Sequence, residues 1–88
     1  MRNFALVTAL LMALFPLTGA AGEYDDNCAT GLAIYDVLVE TDCSVNWTDE
    51  TTGKVYCFSS KGTRDEFLED AQANIRKAEQ RFAELGSN

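Results

Sequence analysis

The 88-residue chain contains no histidine. Histidine is the commonest metal ligand and the usual general base of enzymes, because its pKa lies close to neutral pH. Its absence excludes histidine-based metal centres and the common catalytic dyads and triads. A cysteine nucleophile in this chain would have no histidine to activate it, so we expect no catalytic activity.

Positive charge is scarce as well. The chain has 7 Lys and Arg side chains against 14 Asp and Glu, which gives a net charge of −7. A protein this acidic repels nucleic acids and anionic lipids. We therefore expect neither nucleic acid nor a membrane surface as a partner of the mature protein.

Only one long apolar run is present, at the amino terminus. It covers residues 4–15 between Arg2 and Pro16, the only proline. The run is shorter than the roughly 20 residues that a membrane-spanning helix needs. A positive residue, a short apolar run and small residues at 19–22 together form the pattern of a secretory signal peptide. The chain is therefore predicted to be exported, to the periplasm or out of the cell.

The small residues offer a signal peptidase three bonds. Cleavage after Ala20, Ala21 or Gly22 fits the pattern, and the bond after Ala21 is favoured. The chain then divides into a signal peptide, residues 1–21, and a domain of residues 22–88. Loss of the arginine in the leader leaves 6 basic against 14 acidic side chains in that domain, a net charge near −8.

The predicted domain contains three cysteines, Cys28, Cys43 and Cys57. A domain this small is only marginally stable when its hydrophobic core is the sole source of stability. In an oxidising compartment two of them can pair, and the third must then do something else. The sequence leaves two hypotheses open.

In the first hypothesis, all three thiolates bind one soft metal ion, copper or zinc. The segments between the cysteines have 14 and 13 residues, so the chain has no Cys-x-x-Cys pair. Three thiolates suit trigonal copper(I), whereas zinc would take a fourth ligand from Asp42, water or a partner.

In the second hypothesis, Cys28 forms a disulfide with Cys43 or Cys57, and one thiol is left over. Closing a loop of this length stabilises the fold by roughly 3 kcal/mol. The domain would then be a disulfide-stabilised module for binding another protein, without a metal.

The order of local signals predicts an α+β fold, in which a short antiparallel β-hairpin is packed by one long C-terminal helix. A loose polar lead-in covers residues 23–27, and a helical turn follows at 28–32. The β-branched and apolar residues 34–39 predict an extended segment.

The predicted hairpin consists of residues 45–48 and 54–58, which flank a five-residue turn containing a glycine. This turn length places Val45 opposite Cys57. In that register Cys43 and Cys57 share one face of the hairpin as diagonal neighbours.

The C-terminal helix is predicted to begin after Thr63, which forms a capping-box pattern with Glu66, and to end at Leu85 before Gly86. Its apolar residues recur at spacings of three and four, as expected for a helix face that covers the hairpin. The members of this stripe are Phe67, Ala71, Ile75, Ala78, Phe82 and Leu85.

Three short stretches, residues 41–47, 53–60 and 67–70, resemble the YHS domain family, small modules related to the heavy-metal-associated TRASH domains. Tyr56 and Phe58 stand in the strand pattern of the family, before its Ser-rich turn and the Phe of its helix. The resemblance covers about residues 28–80. It implies a metal-binding role, and Cys28 is the cysteine that matches a family position clearly.

Together these observations predict a small exported YHS-like module that is not an enzyme. It is expected to bind or handle a soft metal ion, copper or zinc, through Cys28, Cys43 and Cys57. The alternative remains a disulfide-stabilised module that binds a protein partner without a metal.

Overall fold

The computed structural model of the protein describes residues 22–86, and the predicted signal peptide, residues 1–21, lies outside the described residues. The described part has an α+β fold with a two-stranded antiparallel sheet, as predicted. Its elements are a 3-10 turn at Glu23–Asp26, α1 at Ala29–Tyr35, β1 at Val45–Thr48, β2 at Val55–Phe58, α2 at Lys61–Leu68 and α3 at Ala71–Leu85.

The hairpin register differs by one residue from the prediction, since Val45 pairs with Phe58 and Asn46 with Cys57. Six residues, 49–54, separate the two strands instead of the expected five, because Thr48 pairs with Val55. Within this loop the backbone N–H of Asp49 donates to the Lys54 carbonyl at 2.9 Å. The Asp49 carboxylate in turn accepts the Thr51 N–H at 3.0 Å. The extra loop residue shifts the partner of each β2 residue by one position along β1.

In the observed register, apolar and aromatic side chains occupy the face of the hairpin that points toward the core. Trp47 stacks on Tyr56 with ring centroids 5.8 Å apart. The Phe67 ring of α2 lies 5.9 Å from Tyr56 and 5.3 Å from Phe58. Because such pairs add to the stabilisation from burial, this aromatic group forms the centre of the core.

The lead-in is part of the core rather than loose. Tyr24 is buried, with its ring 5.8 Å from Tyr56 and 5.5 Å from Phe82 of α3. Tyr24 and the two aspartates after it all have positive φ angles. This left-handed turn brings the start of the domain back onto the sheet.

The extended segment predicted at 34–39 was wrong in its first half, because α1 continues through Tyr35. Asp36 then takes a left-handed conformation, with a φ of 57°, and ends the helix. The chain returns beside the start of α1, where the Cys28 N–H donates to the Val39 carbonyl at 2.8 Å. Gly31 permits this return, since a Cβ there would lie 3.1 Å from the Val37 carbonyl oxygen.

The long C-terminal helix is present as α3, but its predicted beginning after Thr63 was wrong, since the chain forms two helices, α2 and α3, over this stretch. The N-cap is Ser60, three residues earlier than predicted, and it forms a capping box with Thr63. At the break, the buried Asn74 side chain donates to the Phe67 carbonyl at 3.0 Å. The same carbonyl also accepts the Asp70 N–H at 3.3 Å, so a side chain and a turn-type bond together replace the helical bond at this point.

The break lets the two helices face different parts of the fold. α2 contacts both strands, and α3 packs on α1 and the core. Of the predicted stripe, Phe67 and Ala78 are buried, whereas Leu85, the last residue of α3 as predicted, is exposed.

The Tyr24 hydroxyl is buried without a hydrogen-bond partner among residues 22–86. Burial, with the nearby Tyr56 and Glu79 adding to it, raises the pKa of Tyr24. Removing a buried hydroxyl that has no partner removes its desolvation penalty. We therefore predict that Tyr24→Phe raises the free energy of unfolding by about 1 kcal/mol in urea titrations.

Tyr35→Phe is the matched control, because its exposed hydroxyl donates to Glu66 at 2.8 Å. We expect a change within about 0.5 kcal/mol for this surface substitution. A clear loss of stability in Tyr24→Phe would contradict the prediction and show that the hydroxyl bonds to ordered water.

Candidate functional site at the disulfide

Cys43 and Cys57 form a disulfide, with their Cα atoms 4.7 Å apart. Cys57 lies in β2 opposite Asn46, and so points away from the aromatic face. Cys43 precedes β1 and has a φ of 61°, which takes it out of the alternation of the strand. This left-handed residue lets the Cys43 side chain reach Cys57 in a register that strand geometry alone would not favour.

Asp26 lies next to this disulfide. Its Oδ1 is 3.6 Å from the Cys57 Sγ. Asp26, Cys43 and Cys57 form a group whose ligand atoms all lie within 4.8 Å of one another. The Asp26 backbone is held in place by Thr41, whose N–H and hydroxyl both donate to the Asp26 carbonyl, at 3.1 and 2.7 Å.

Gly22 completes the arrangement from the other side. Its backbone N–H donates to the Asp26 Oδ1 at 2.5 Å. A Cβ at this position would overlap the Cys57 Sγ and would lie 3.1 Å from both the Cys43 Sγ and the Asp26 Oδ1. The backbone here therefore approaches the disulfide more closely than any residue with a side chain could.

Cys28 lies in a different environment. It is the free cysteine of the described chain and is only 1% exposed. Its Sγ lies 3.7 Å from the Ser59 Oγ and 4.0 Å from the Thr63 Oγ1, at the start of α2. The Cys28 backbone is bridged to Cys57, but its side chain is not a member of the group around the disulfide.

Two opposing effects act on the Cys28 thiol. Burial opposes its ionisation, but hydrogen bonds from the backbone N–H groups of Gly31, Ser59 and Thr30 and from the Ser59 hydroxyl favour the thiolate. The net effect is that the pKa of Cys28 is lowered. The Cys28 thiol is therefore easier to ionise than an ordinary cysteine thiol, but it is shielded from solvent.

The structure thus divides the three predicted site residues. It confirms the hypothesis of one disulfide with one thiol left over, but the expected pairing of Cys28 with Cys43 or Cys57 was wrong. Asp42, one of the three options for a fourth zinc ligand, lies outside the group and is exposed. Its carboxylate accepts the Ser44 N–H at 3.0 Å, and this bond lowers the pKa of Asp42.

Sequence reasoning missed Gly22 and Asp26. Neither belongs to a periodic pattern or a motif, because their meeting with the disulfide depends on three successive left-handed residues, Tyr24, Asp25 and Asp26. Asp and Asn tolerate this conformation better than other residues with side chains. The Asp25–Asp26 pair was therefore the available signal for a tight turn.

The oxidised and reduced forms of this group have different chemistry. As a disulfide, the two sulfurs are bonded to each other and are not thiolate ligands. After reduction, two thiolates and one carboxylate oxygen would face a common point. This donor set fits soft or borderline ions, copper(I) and zinc, better than calcium or magnesium.

Comparison with models of known protein families, with curated protein sequences and with solved structures finds no match for this chain. The resemblance to the YHS family therefore stays a prediction. Between residues 22 and 86, no helix has the length and apolar character that crossing a bilayer requires.

Alkylation followed by mass measurement tests the arrangement of the cysteines. We predict that the folded, unreduced protein resists alkylation, because its one free thiol is buried. Unfolding without reductant should add one label, and unfolding with reductant should add three. A label on Cys43 or Cys57 before reduction would contradict the disulfide assignment.

Substitution of Gly22 tests the close approach to the disulfide. Its φ of −87° suits any residue, so the effect of Gly22→Ala should come from crowding alone. We predict a loss of about 1–3 kcal/mol in the free energy of unfolding, the range for inserting an atom into a packed site.

Gly62→Ala is the matched control, because a Cβ there would meet the Ser60 Oγ at an ordinary 3.7 Å. Alanine is the better helix former in α2, so this variant should gain about 0.5–1 kcal/mol. Equal effects of the two variants in urea titrations would refute a special role of Gly22.

Proposed function

We propose that the chain is a small exported module that is not an enzyme and that handles copper or zinc through a reducible cysteine pair. The observation that carries this proposal is the convergence of the Asp26 Oδ1 with the Cys43 and Cys57 sulfurs within 4.8 Å. The resemblance to YHS modules, with their heavy-metal association, supports the same role. A disulfide in a domain of this size supports export, since such bonds persist in oxidising compartments.

Metal binding requires that the disulfide first be opened. A dithiol reductant would supply two electrons and two protons, so that Cys43 and Cys57 become thiols while the two reductant thiols become a disulfide. The two cysteine protons leave when the thiolates bind the ion. The Asp26 carboxylate would supply an oxygen ligand. A disulfide oxidant would later take two electrons from the thiolates and become two thiols by binding two protons, so that the Cys43–Cys57 bond re-forms and the ion is released.

A soft cation also suits the charge of the domain. Residues 22–88 carry a net charge near −8, so cations are attracted and anions repelled. Bound thiolates and a carboxylate would place further negative charge in one small region, which a cation neutralises.

The second candidate function is a disulfide-stabilised module that binds a protein partner without a metal. The observation that favours it is an exposed apolar segment that runs from the end of α1 into the loop before β1. Its exposed members are Ile34, Tyr35, Val37, Leu38 and Val39. Contiguous apolar surface of this kind is typical of interaction sites.

Metal titration of the exported protein in its two redox forms separates the two functions. We predict that the reduced protein binds one copper(I) or zinc ion and that the oxidised protein binds neither. Cys43→Ser and Asp26→Asn should each weaken binding by about tenfold or more, because each removes a ligand.

Cys28→Ser is the control that decides the ligand set. If the group around Asp26 is the site, this variant should bind the ion as the wild type does. Equal weakening by Cys28→Ser and Cys43→Ser would instead support the three-thiolate site. If the reduced protein binds neither ion, the metal proposal fails and the interaction module remains.

A further inference from the structure

We propose that processing releases the α-ammonium group of Gly22 and that this group forms an ion pair with Asp26 beside the Cys43–Cys57 disulfide. The mature protein would then begin at Gly22, and its terminus would be a structural part of the site. The inference rests on export, which is one part of the proposed function, and it concerns the oxidised form, in which the two sulfurs are not thiolate ligands. After reduction, a metal ion would compete with this ammonium group for the Asp26 carboxylate.

The first argument is the position of the Gly22 nitrogen. It already lies 2.5 Å from the Asp26 Oδ1 as a backbone donor. The turn that follows, with three left-handed residues, holds Asp26 in place to receive it. A cut one residue later would remove this donor, and a cut one residue earlier would leave it as a neutral amide.

The second argument is the requirement for glycine. The Gly22 backbone is extended, with φ −87° and ψ 171°, so its conformation does not call for glycine. Space does, because a Cβ would overlap the Cys57 Sγ. A chain that begins with glycine can therefore place its terminal nitrogen against the carboxylate and the disulfide, whereas another first residue could not.

The third argument is electrostatic. A free α-amine has a pKa near 8 and is positively charged at neutral pH, with three donors instead of one. Hydrogen bonds with one ionised partner are already about twice as strong as neutral ones. A charged amine would add a direct attraction between two opposite charges to the bond that the Gly22 N–H makes with the Asp26 carboxylate. Asp26 is partly buried, so solvent screens the pair less than it would on an open surface.

The charges around this nitrogen favour a cation. Glu23 and Asp25 flank it on the same turn. β2 packs on that turn and places the disulfide against it, which carries no charge. The turn and the disulfide therefore present carboxylates to a positive terminus, and neither of them carries a cation that would compete for Asp26.

The cleavage step is a simple hydrolysis by a signal peptidase. Water adds across the Ala21–Gly22 amide, the carboxylate leaves with Ala21, and the ammonium stays on Gly22. The leader offers the small residues that such a peptidase selects, at Gly19 and Ala21.

Intact mass and N-terminal sequencing of the exported protein test the cleavage. We expect a single mature species that begins at Gly22. A first residue of Ala21 or Glu23 would overturn the inference while leaving export intact. An uncleaved chain would overturn both the inference and the proposed export.

The ion pair is tested by thermal unfolding of the mature protein and two charge variants. Asp26→Asn should lower the midpoint by about 4 °C or more, the shift expected for a loss of one strong interaction in a domain of this size. Asp25→Asn removes the same charge from the neighbouring residue, which is exposed and also left-handed, and should have a smaller effect.

Acetylation of the amines shows whether the terminus is the partner. After acetylation, Asp26→Asn and the unsubstituted protein should have closely similar midpoints, because the charged donor is gone from both. The acetylated lysines are common to both proteins and cancel in this comparison. If the Asp26→Asn effect is as large after acetylation as before, Asp26 acts through other contacts and the ion pair is refuted.

Discussion

The register of the hairpin is the constraint on which the rest of the structure depends. A shift of one residue would exchange the two faces of a strand. The bond from the Asp49 N–H to the Lys54 carbonyl fixes the pairing of Asn46 with Cys57. Tyr56 and Phe58 then face the aromatic core, and Cys57 lies on the opposite face of the strand, where it is also buried. Core and candidate site therefore occupy opposite faces of the same four-residue strand.

The face of β2 that carries Cys57 is covered by the turn at Glu23–Asp26 and by the loop before β1. Asp26 and Cys43 both have positive φ angles, and each lies at the point where its segment turns toward Cys57. The disulfide closes the 15 residues from 43 to 57, a loop for which the chain-entropy account gives about 3 kcal/mol. In a domain this small, that is a substantial part of the net stability. The bond that defines the site thus also supports the fold.

Regular patterns in the sequence were sufficient for the fold class, the end of the last helix at Leu85 and the burial of Phe67. They failed where a side chain competes with the backbone. Asn74 ends α2 by bonding the Phe67 carbonyl, and the hydrophobic stripe continues across this break without a sign of it. The turn at Asp49 lengthens the hairpin loop in the same way. Periodicity does not record such local bonds, so neither the break nor the register could be read from it.

The separation of Cys28 from the other two cysteines follows from these same features. Its backbone is bridged to Cys57, yet its thiol lies near Ser59 and Thr63 at the start of α2. An enclosed thiol with those partners is shielded from oxidants and from exchange with the disulfide. The odd cysteine count therefore describes two chemical environments: a disulfide on the face of the sheet opposite the aromatic core, and a buried thiol that belongs to the packing between α1 and α2. Because the same bond supports the fold, reduction of the pair would lower the stability of the domain as well as change the candidate site.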